Sequence, residues 1–339
     1  MKIRYKEYNL PFRYPFTISS GTKTHQPALV AELEHFGIKG YGEAPAISYY
    51  NIPVKKMIED LESKKQFVEK FAFTDPERYW HYLHHLFPDN SFLVCALDMA
   101  AWDLYGKMKK KKLFELWNLD INHAPDTDYT IGIDRIEKMV EKMKETPWPV
   151  YKIKVGTDDD ITLLKTLRQH TGATLRVDAN GGWSLEQALE KIPQLQKLQI
   201  ELIEQPLHKD DWEGMKVLFE KSPLPLIADE SCVSESDVEK CSNYFHGINI
   251  KLTKCGGITP ARRMIKKARQ LNMKIMLGCM NESSLGSAAM AHLSPAVDFL
   301  DMDGPLLLQQ DIAKGLNYKN GRFELSDFPG LGVTLLDFD

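Results

Sequence analysis

Two patterns of apolar and polar positions divide the chain. Up to about Ile121, strand-like runs come first, at residues 2–9, 28–36 and 38–43, the last two joined at Gly37 in a hairpin-like turn. Three helical patterns follow, near 53–70, near 76–86 and through SFLVCALDMAAWDLYGKM. In the third, Val94, Leu97, Asp98, Ala101, Trp102 and Tyr105 recur at helical spacing, and Gly106 reads as its stop. Strands followed by helices predict an α+β domain. From about Asp128 the pattern becomes an alternation of short apolar runs with amphipathic stretches. The predicted strands are DYTIG, VYKIKV, TLRVD, IELIE, PLIAD, INIKL, KIMLG and DFLDM. Eight is the number a closed parallel barrel requires, and a spacing of about 25 residues suits one β/α unit.

Helix starts support the alternation. Ser184 with Gln187 is a capping-box pattern, Asp158 to Asp160 put negative charge at a helix N-terminus, and Thr259-Pro260 reads as a cap followed by proline. An open doubly wound sheet would want a glycine-rich fingerprint after the first strand, and Ile131–Asp134 has none. From about Pro305 the alternation stops. An Asn320-Gly321 turn sits between short β-like runs, followed by FPGLGV. The predicted fold is an α/β (β/α)8-type barrel (122–304) with an α+β N-terminal capping domain (1–121), completed by the C-terminal segment (305–339).

Composition narrows the function classes. The chain has 339 residues, 43% hydrophobic and 27% charged, with a net charge of −4. That balance gives no electrostatic reason to expect nucleic acid or an anionic membrane as partner. MKIRYKEYNL lacks the apolar core of a signal peptide, and no apolar run approaches the roughly 20 residues that span a bilayer. Five scattered cysteines without a CxxC spacing fit a reducing compartment, so a cytoplasmic location is expected. The sequence leaves a homo-oligomer open.

Active sites of such barrels lie at the C-terminal strand ends. The polar residues there are Lys152 and Lys154 on the second strand, Asp178 on the third, Glu204 on the fourth and Asp229 on the fifth. Lys251 lies on the sixth, and Asp301 and Asp303 end the eighth. Singly, an acid after a strand is usually a helix cap. Three consecutive strands ending in carboxylates, however, converge on one side of the mouth and suit one Mg²⁺, a hard ion that keeps room for water and substrate. Zinc would recruit His or Cys; HExxH is absent, and His84-His85 falls in the other domain. Strands two and six face each other in a ring of eight. Lys152 and Lys154, on one side of their strand, therefore oppose Lys251, and two opposed bases flanking one carbon are what a racemase or epimerase requires.

The set KIK, VDAN, IEQP, ADES and INIKLTKCGG, with YGEAP and FPGLGV, resembles the enolase superfamily, in particular its muconate-lactonizing subgroup, over nearly the whole chain. The resemblance implies that Asp178, Glu204 and Asp229 bind Mg²⁺, that Lys154 and Lys251 are the acid/base pair, and that Lys152 tunes Lys154 and touches the substrate carboxylate. Sites of that superfamily use a Lys or His base with Mg²⁺ stabilising an ene-diolate. Asp301-Met302-Asp303 selects within the subgroup. Two aspartates opposite the metal would repel the dianions of muconate cycloisomerases or o-succinylbenzoate synthases and welcome an ammonium group. Dipeptide epimerases share that Asp-x-Asp. Those acting on Ala-Glu carry an arginine in the first loop, where this chain has Gly21 with Lys23 nearby. A small or apolar dipeptide such as Ala-Ala is therefore expected, with Lys23 available to a glutamate. N-acylamino acid racemase or o-succinylbenzoate synthase is the alternative. A non-catalytic barrel would have lost a ligand or a lysine, and all are present. A phosphate-binding barrel would want a glycine-rich loop after strand seven or eight, whereas Gly256-Gly257 follows strand six and Gly286 is isolated.

Overall fold

This computed structural model describes residues 1–18, 21–157 and 159–338. Asp158 and two serines of the first loop lie outside the described residues. An antiparallel sheet opens the chain in the order β1 (Lys2–Ile18), β2 (Gly21–His35), β3 (Ile38–Pro45). Phe36 and Gly37 both take positive φ (50° and 75°), the backbone of a tight two-residue hairpin turn. The central strand β2 is buried on both faces, which explains its run ALVAEL. Leu29, Ala31 and Leu33 pack toward three helices, while Ala28 and Val30 join the core shared with the barrel. The helices are α1 (Val54–Lys70), α2 (Pro76–Leu86) and α3 (Ser91–Lys109).

α3 is buried along nearly all of its length, as its apolar composition demands. It does not stop at Gly106 but runs to Lys109 and ends at left-handed Lys110 (φ 53°). Gly106 instead permits close packing, since a Cβ there would lie 2.6 Å from Gly330 Cα.

The barrel strands are β4 (Tyr129–Ile131), β5 (Val150–Lys154), β6 (Thr174–Asp178), β7 (Ile200–Glu204), β8 (Leu226–Ala228), β9 (Gly247–Ile250), β10 (Lys274–Gly278) and β11 (Phe299–Asp301). They pair in parallel in chain order, and Asp128 N donates to Leu300 O (3.1 Å) to bring the last strand beside the first. Leu202, Ile227, Met276 and Phe299, from β7, β8, β10 and β11, form a separate apolar plug, and the Arg176 guanidinium lies 5.2 Å over the Phe299 ring. α4 (Leu113–Leu116) precedes the barrel, and between its strands stand α5 (Ile136–Glu145), α6 (Asp160–His170), α7 (Leu185–Lys197), α8 (Trp212–Lys221), α9 (Asp237–Cys241), α10 (Leu252–Cys255), α11 (Ile258–Gln270) and α12 (Ser284–Leu293). α13 (Gly304–Leu307) follows β11. Ser184 and Gln187 form the capping box of α7.

Thr259 is not the cap of α11. The helix begins at Ile258, and its N-terminus is capped from α3, where the Asp98 carboxylate accepts Thr259 N–H (2.9 Å) and Oγ1–H (2.6 Å). Glu43 on β3 does the same for α12, accepting from Ser283 N, Ser283 Oγ and Gly286 N. Two helix N-termini of the barrel thus hold carboxylates of the first sheet-and-helix unit, where the helix dipole favours negative charge. Trp80 Nε1 donates to Gly256 O and Trp102 Nε1 to Thr259 Oγ1, both 2.8 Å.

The end of the chain returns across this seam. Leu331 N donates to Asp103 Oδ1 (2.8 Å) and Gly330 N to Lys111 O (2.9 Å). The hairpin β12 (Leu316–Lys319) to β13 (Arg322–Leu325) turns at Asn320-Gly321, both with positive φ. No helix among the described residues is long and apolar enough to cross a membrane.

Candidate active site

Alternation along β5 puts Lys152 and Lys154 on one side of the strand, and both side chains are buried at the top of the barrel. One amine then meets carboxylates from three strands. Lys152 Nζ lies 2.7 Å from Asp301 Oδ2, 2.9 Å from Glu204 Oε2 and 3.2 Å from Asp178 Oδ2. Lys154 Nζ pairs with Asp178 Oδ2 at 2.6 Å. From the other side, Lys251 follows directly after β9 and pairs with Asp229 Oδ2 at 2.7 Å. Lys254, absent from the sequence reading, takes Asp229 Oδ1 at 2.6 Å and donates to three backbone carbonyls, of Asp229, Cys232 and Asn249. Asn249, two residues before Lys251, donates Nδ2 to Glu204 Oε1 at 2.7 Å.

These contacts set the charges. Burial alone would lower the Lys152 pKa, but Asp301, Glu204 and Asp178 raise it well above the ordinary lysine value. Lys251 behaves alike, with Asp229 and Glu204 outweighing burial. Burial pushes Asp178 up, yet Lys154 and Lys152 hold it at about 2; Asp229 is held far below the usual range by Lys251 and Lys254. Glu204 is raised by burial and then by Asp178. Glu230, beside Asp229, is pushed up to about 7 by burial and by Asp229 and Asp178.

The donor set fits a divalent cation. Asp178, Glu204, Asp229 and Glu230 are hard oxygen donors. Glu204 Oε2 and Glu230 Oε2 are buried without a well-directed hydrogen bond, although the former is ion-paired to Lys152. With Asp301 and Asp303, six carboxylates gather here with four lysines, an acid-rich setting that suits a cation. As they stand, lysine amines occupy the space between Asp178, Glu204 and Asp229. The tight three-donor group among the described residues lies elsewhere, at Cys279, Asp301 and Asp303.

One cavity collects these groups. Lys152, Lys154, Asp229, Glu230, Lys251, Asp301 and Asp303 all line it, together with Thr130 and Cys279. Its roof comes from the first sheet unit: Phe16 of β1, Lys23 of β2, and Ile47, Tyr49 and Tyr50 around a short turn. Lys23 is half-buried and forms no ion pair or hydrogen bond among the described residues; burial lowers its pKa. Gly21 is exposed at φ 142° and lies outside the lining, so of the two loop residues only Lys23 reaches the cavity. Asp301 and Asp303 share the cavity wall, but Asp301 Oδ2 is taken by Lys152, and Asp303 Oδ2 accepts Thr130 N–H at 2.6 Å. Burial and Asp301 push Asp303 up to about 6.

Residues 134–338 match the family described as enolase C-terminal domain-like, and residues 1–117 match the mandelate racemase/muconate lactonizing enzyme N-terminal domain. The chain belongs to the enolase superfamily. Among its enolase-superfamily relatives, the L-Ala-D/L-amino acid epimerase of Flavobacterium johnsoniae is 50% identical over 336 residues, 99% of this chain and 100% of the relative. The substrate-liganded L-Ala-D/L-Glu epimerase of Bacillus subtilis superposes with a TM-score of 0.91 at 28% identity, over 98% of this chain and 99% of that one. A dipeptide epimerase from Cytophaga hutchinsonii, complexed with Mg and D-Ala-L-Val, gives 0.90 at 27% identity, over 99% and 96%. Sequence reasoning missed Lys254, Asn249, Glu230 and Cys279 in this superfamily site. Period two from Lys251 would have found Asn249, and the strand-end rule applied to β10 would have found Cys279.

Proposed function

We propose that the chain is a Mg²⁺-dependent dipeptide epimerase that moves a proton on and off the α-carbon of the C-terminal residue. The observation that carries this reading is one cavity holding two lysines from opposite strands, Lys154 and Lys251, beside an aspartate pair. Asp178, Glu204 and Asp229 would hold the metal, and Mg²⁺, when bound, supplies positive charge to stabilise what develops on the substrate carboxylate. One lysine, as neutral amine, takes the α-proton from one face while the C–H electron pair moves into the carboxylate as an enediolate. The opposite lysine, as ammonium, returns a proton to the other face, which inverts the centre. Lys152 sits between Asp178, Glu204 and Asp301 and holds the three carboxylates together. Asp301 and Asp303 receive the N-terminal ammonium.

Charge supports a zwitterionic substrate. The aspartate pair offers acceptors to an ammonium group, whereas an N-acylamino acid or a dianion brings no positive charge to it. The apolar roof of Phe16, Ile47 and Tyr50 supports a small or apolar C-terminal side chain such as that of Ala-Ala, with Lys23 at hand for an acidic one. The same reading assigns residues 1–121 with 305–339 to the cap and 122–304 to catalysis. Five buried cysteines without a disulfide support a reducing location. The test is kcat/KM for free dipeptides, N-acylamino acids and succinylbenzoate-type dianions on one preparation. A clear preference for either of the latter two overturns the assignment.

A further inference from the structure

Cys279, directly after β10, is a residue of this cavity that the reaction above does not use. Its Sγ lies 3.8 Å from Asp301 Oδ1 and 3.5 Å from Asp303 Oδ1. All three residues are buried, and their ligand atoms fall within 4.8 Å of one another. The other oxygens of the two carboxylates are turned to Lys152 and to Thr130 N–H. Both Oδ1 atoms therefore look to the same thiol. The one thiol proton is shared between the two Oδ1 atoms, whereas a cation in the same place would serve both at once.

The sulfur–oxygen spacing suits a metal ion. A tetrahedral ion with sulfur at about 2.3 Å and oxygen at about 2.1 Å holds its S and O ligands about 3.6 Å apart. The observed separations bracket that value. Mg²⁺ prefers octahedral oxygen, whereas a thiolate selects thiophilic ions, so this notch and the β6–β8 carboxylates differ in the ion they suit.

We propose that Cys279, Asp301 and Asp303 form a second cation site for a thiophilic divalent ion such as Zn²⁺ or Cd²⁺. On binding, the S–H bond breaks, its proton passes to solvent, and a sulfur–metal bond forms, with the fourth position open to the cavity. No redox change is involved. Such an ion occupies the place of the substrate ammonium and inhibits in competition with free dipeptide. That consequence rests on the ammonium reading of the aspartate pair; binding of the ion does not.

Titration of the Mg²⁺-loaded full chain with Cd²⁺ reads the site directly, through the ultraviolet sulfur-to-cadmium charge-transfer band. The expected result is a band that saturates with one high-affinity Cd²⁺ per chain and is lost in Cys279→Ser. Asp303→Asn, which keeps the thiol, should weaken the same binding step. A wild-type chain without the band, or an undiminished band in Cys279→Ser, overturns the proposal, the latter by pointing to the other cysteines. Zn²⁺ inhibition kinetics then separate the two readings. If Cys279-dependent binding is present and inhibition is competitive with dipeptide, both stand. If it is present but inhibition is not competitive, the metal site stands and the ammonium assignment falls.

Discussion

The two halves of the barrel mouth solve the burial of charge differently. From β5 to β9, Asp178, Glu204 and Asp229 each have a lysine amine within 3.2 Å, and Asp178 and Asp229 have two apiece. From β10 round to β4, Lys152 reaches across to Asp301, and the aspartate pair otherwise meets the Cys279 thiol and Thr130, through its backbone N–H and side chain. Buried carboxylates stay ionised where cations are built in and drift toward neutrality where they are not. Accordingly Asp178, with two amines beside it, is held at about 2 and Asp301, paired with Lys152, is also lowered, whereas Asp303 and Glu230, without an amine of their own, are pushed up to about 6 and about 7. The first half carries its own counter-charges and suits chemistry. The second leaves charge to be answered by whatever binds.

The strongest way to break that contrast is to remove a lysine from the compensated half. Lys154→Ala and Lys251→Ala should each lower epimerisation by about 10²–10⁴-fold, the range for a lost general acid or base. In D₂O, NMR should find residual α-proton exchange from one epimer only, and from opposite epimers in the two variants. Wild-type exchange of both epimers in Lys251→Ala would remove that lysine from the mechanism. Next in size is metal removal. Chelation should abolish turnover and lower Tm, since an ion at about 100 times its Kd contributes about 2.7 kcal/mol, and Mg²⁺ should restore both. Full activity in metal-free protein ends the metal assignment.

The uncompensated half gives a smaller, selective effect. Asp303→Asn should weaken free dipeptides by about ten- to a hundredfold, the value of a charge-assisted hydrogen bond of about 1.5–3 kcal/mol, while N-acetylated analogues change little. An equal loss for both would mean that Asp303 only props the wall. The smallest effect lies at the seam. Burial pushes Asp98 to about 7 although Thr259 donates to it, and Glu43 likewise reaches about 7. Folded values above unfolded ones mean that the native state holds extra protons between about pH 4 and 7, so stability falls as pH rises through that window. Asp98→Asn should flatten part of that slope in Tm measured against pH. An unchanged slope would show that another group sets it.

Much of this was legible in the sequence. All eight barrel strands follow their apolar runs, because a parallel sheet buried on both faces tolerates little else. Lys152, Lys154, Asp178, Glu204, Asp229 and Lys251 stand at strand ends and meet within one network for the same reason. What was not legible depends on contacts between distant segments. β1 runs on past Pro11 and Pro15 because it is an edge strand, where a missing N–H is harmless. Thr259-Pro260 mimics a cap locally, but the cap comes from Asp98, 161 residues earlier. Gly106 reads as a stop and is a packing notch for Gly330. Cys279 looks like a core cysteine until folding sets it between two aspartates.

The bonds from α2 and α3 to the segment after β9 also bear on how this protein can be altered. Trp80, Asp98 and Trp102 fasten Gly256 and Thr259, a few residues beyond Lys251, while the roof of the cavity is drawn from β1, β2 and the Ser48–Tyr50 turn. Fastening and roofing are therefore assigned to different stretches of one unit. A directed-evolution library confined to Phe16, Lys23, Ile47 and Tyr49 should redraw substrate preference with the Lys251 segment still anchored, whereas grafting a foreign cap without those α2 and α3 side chains would loosen Lys251.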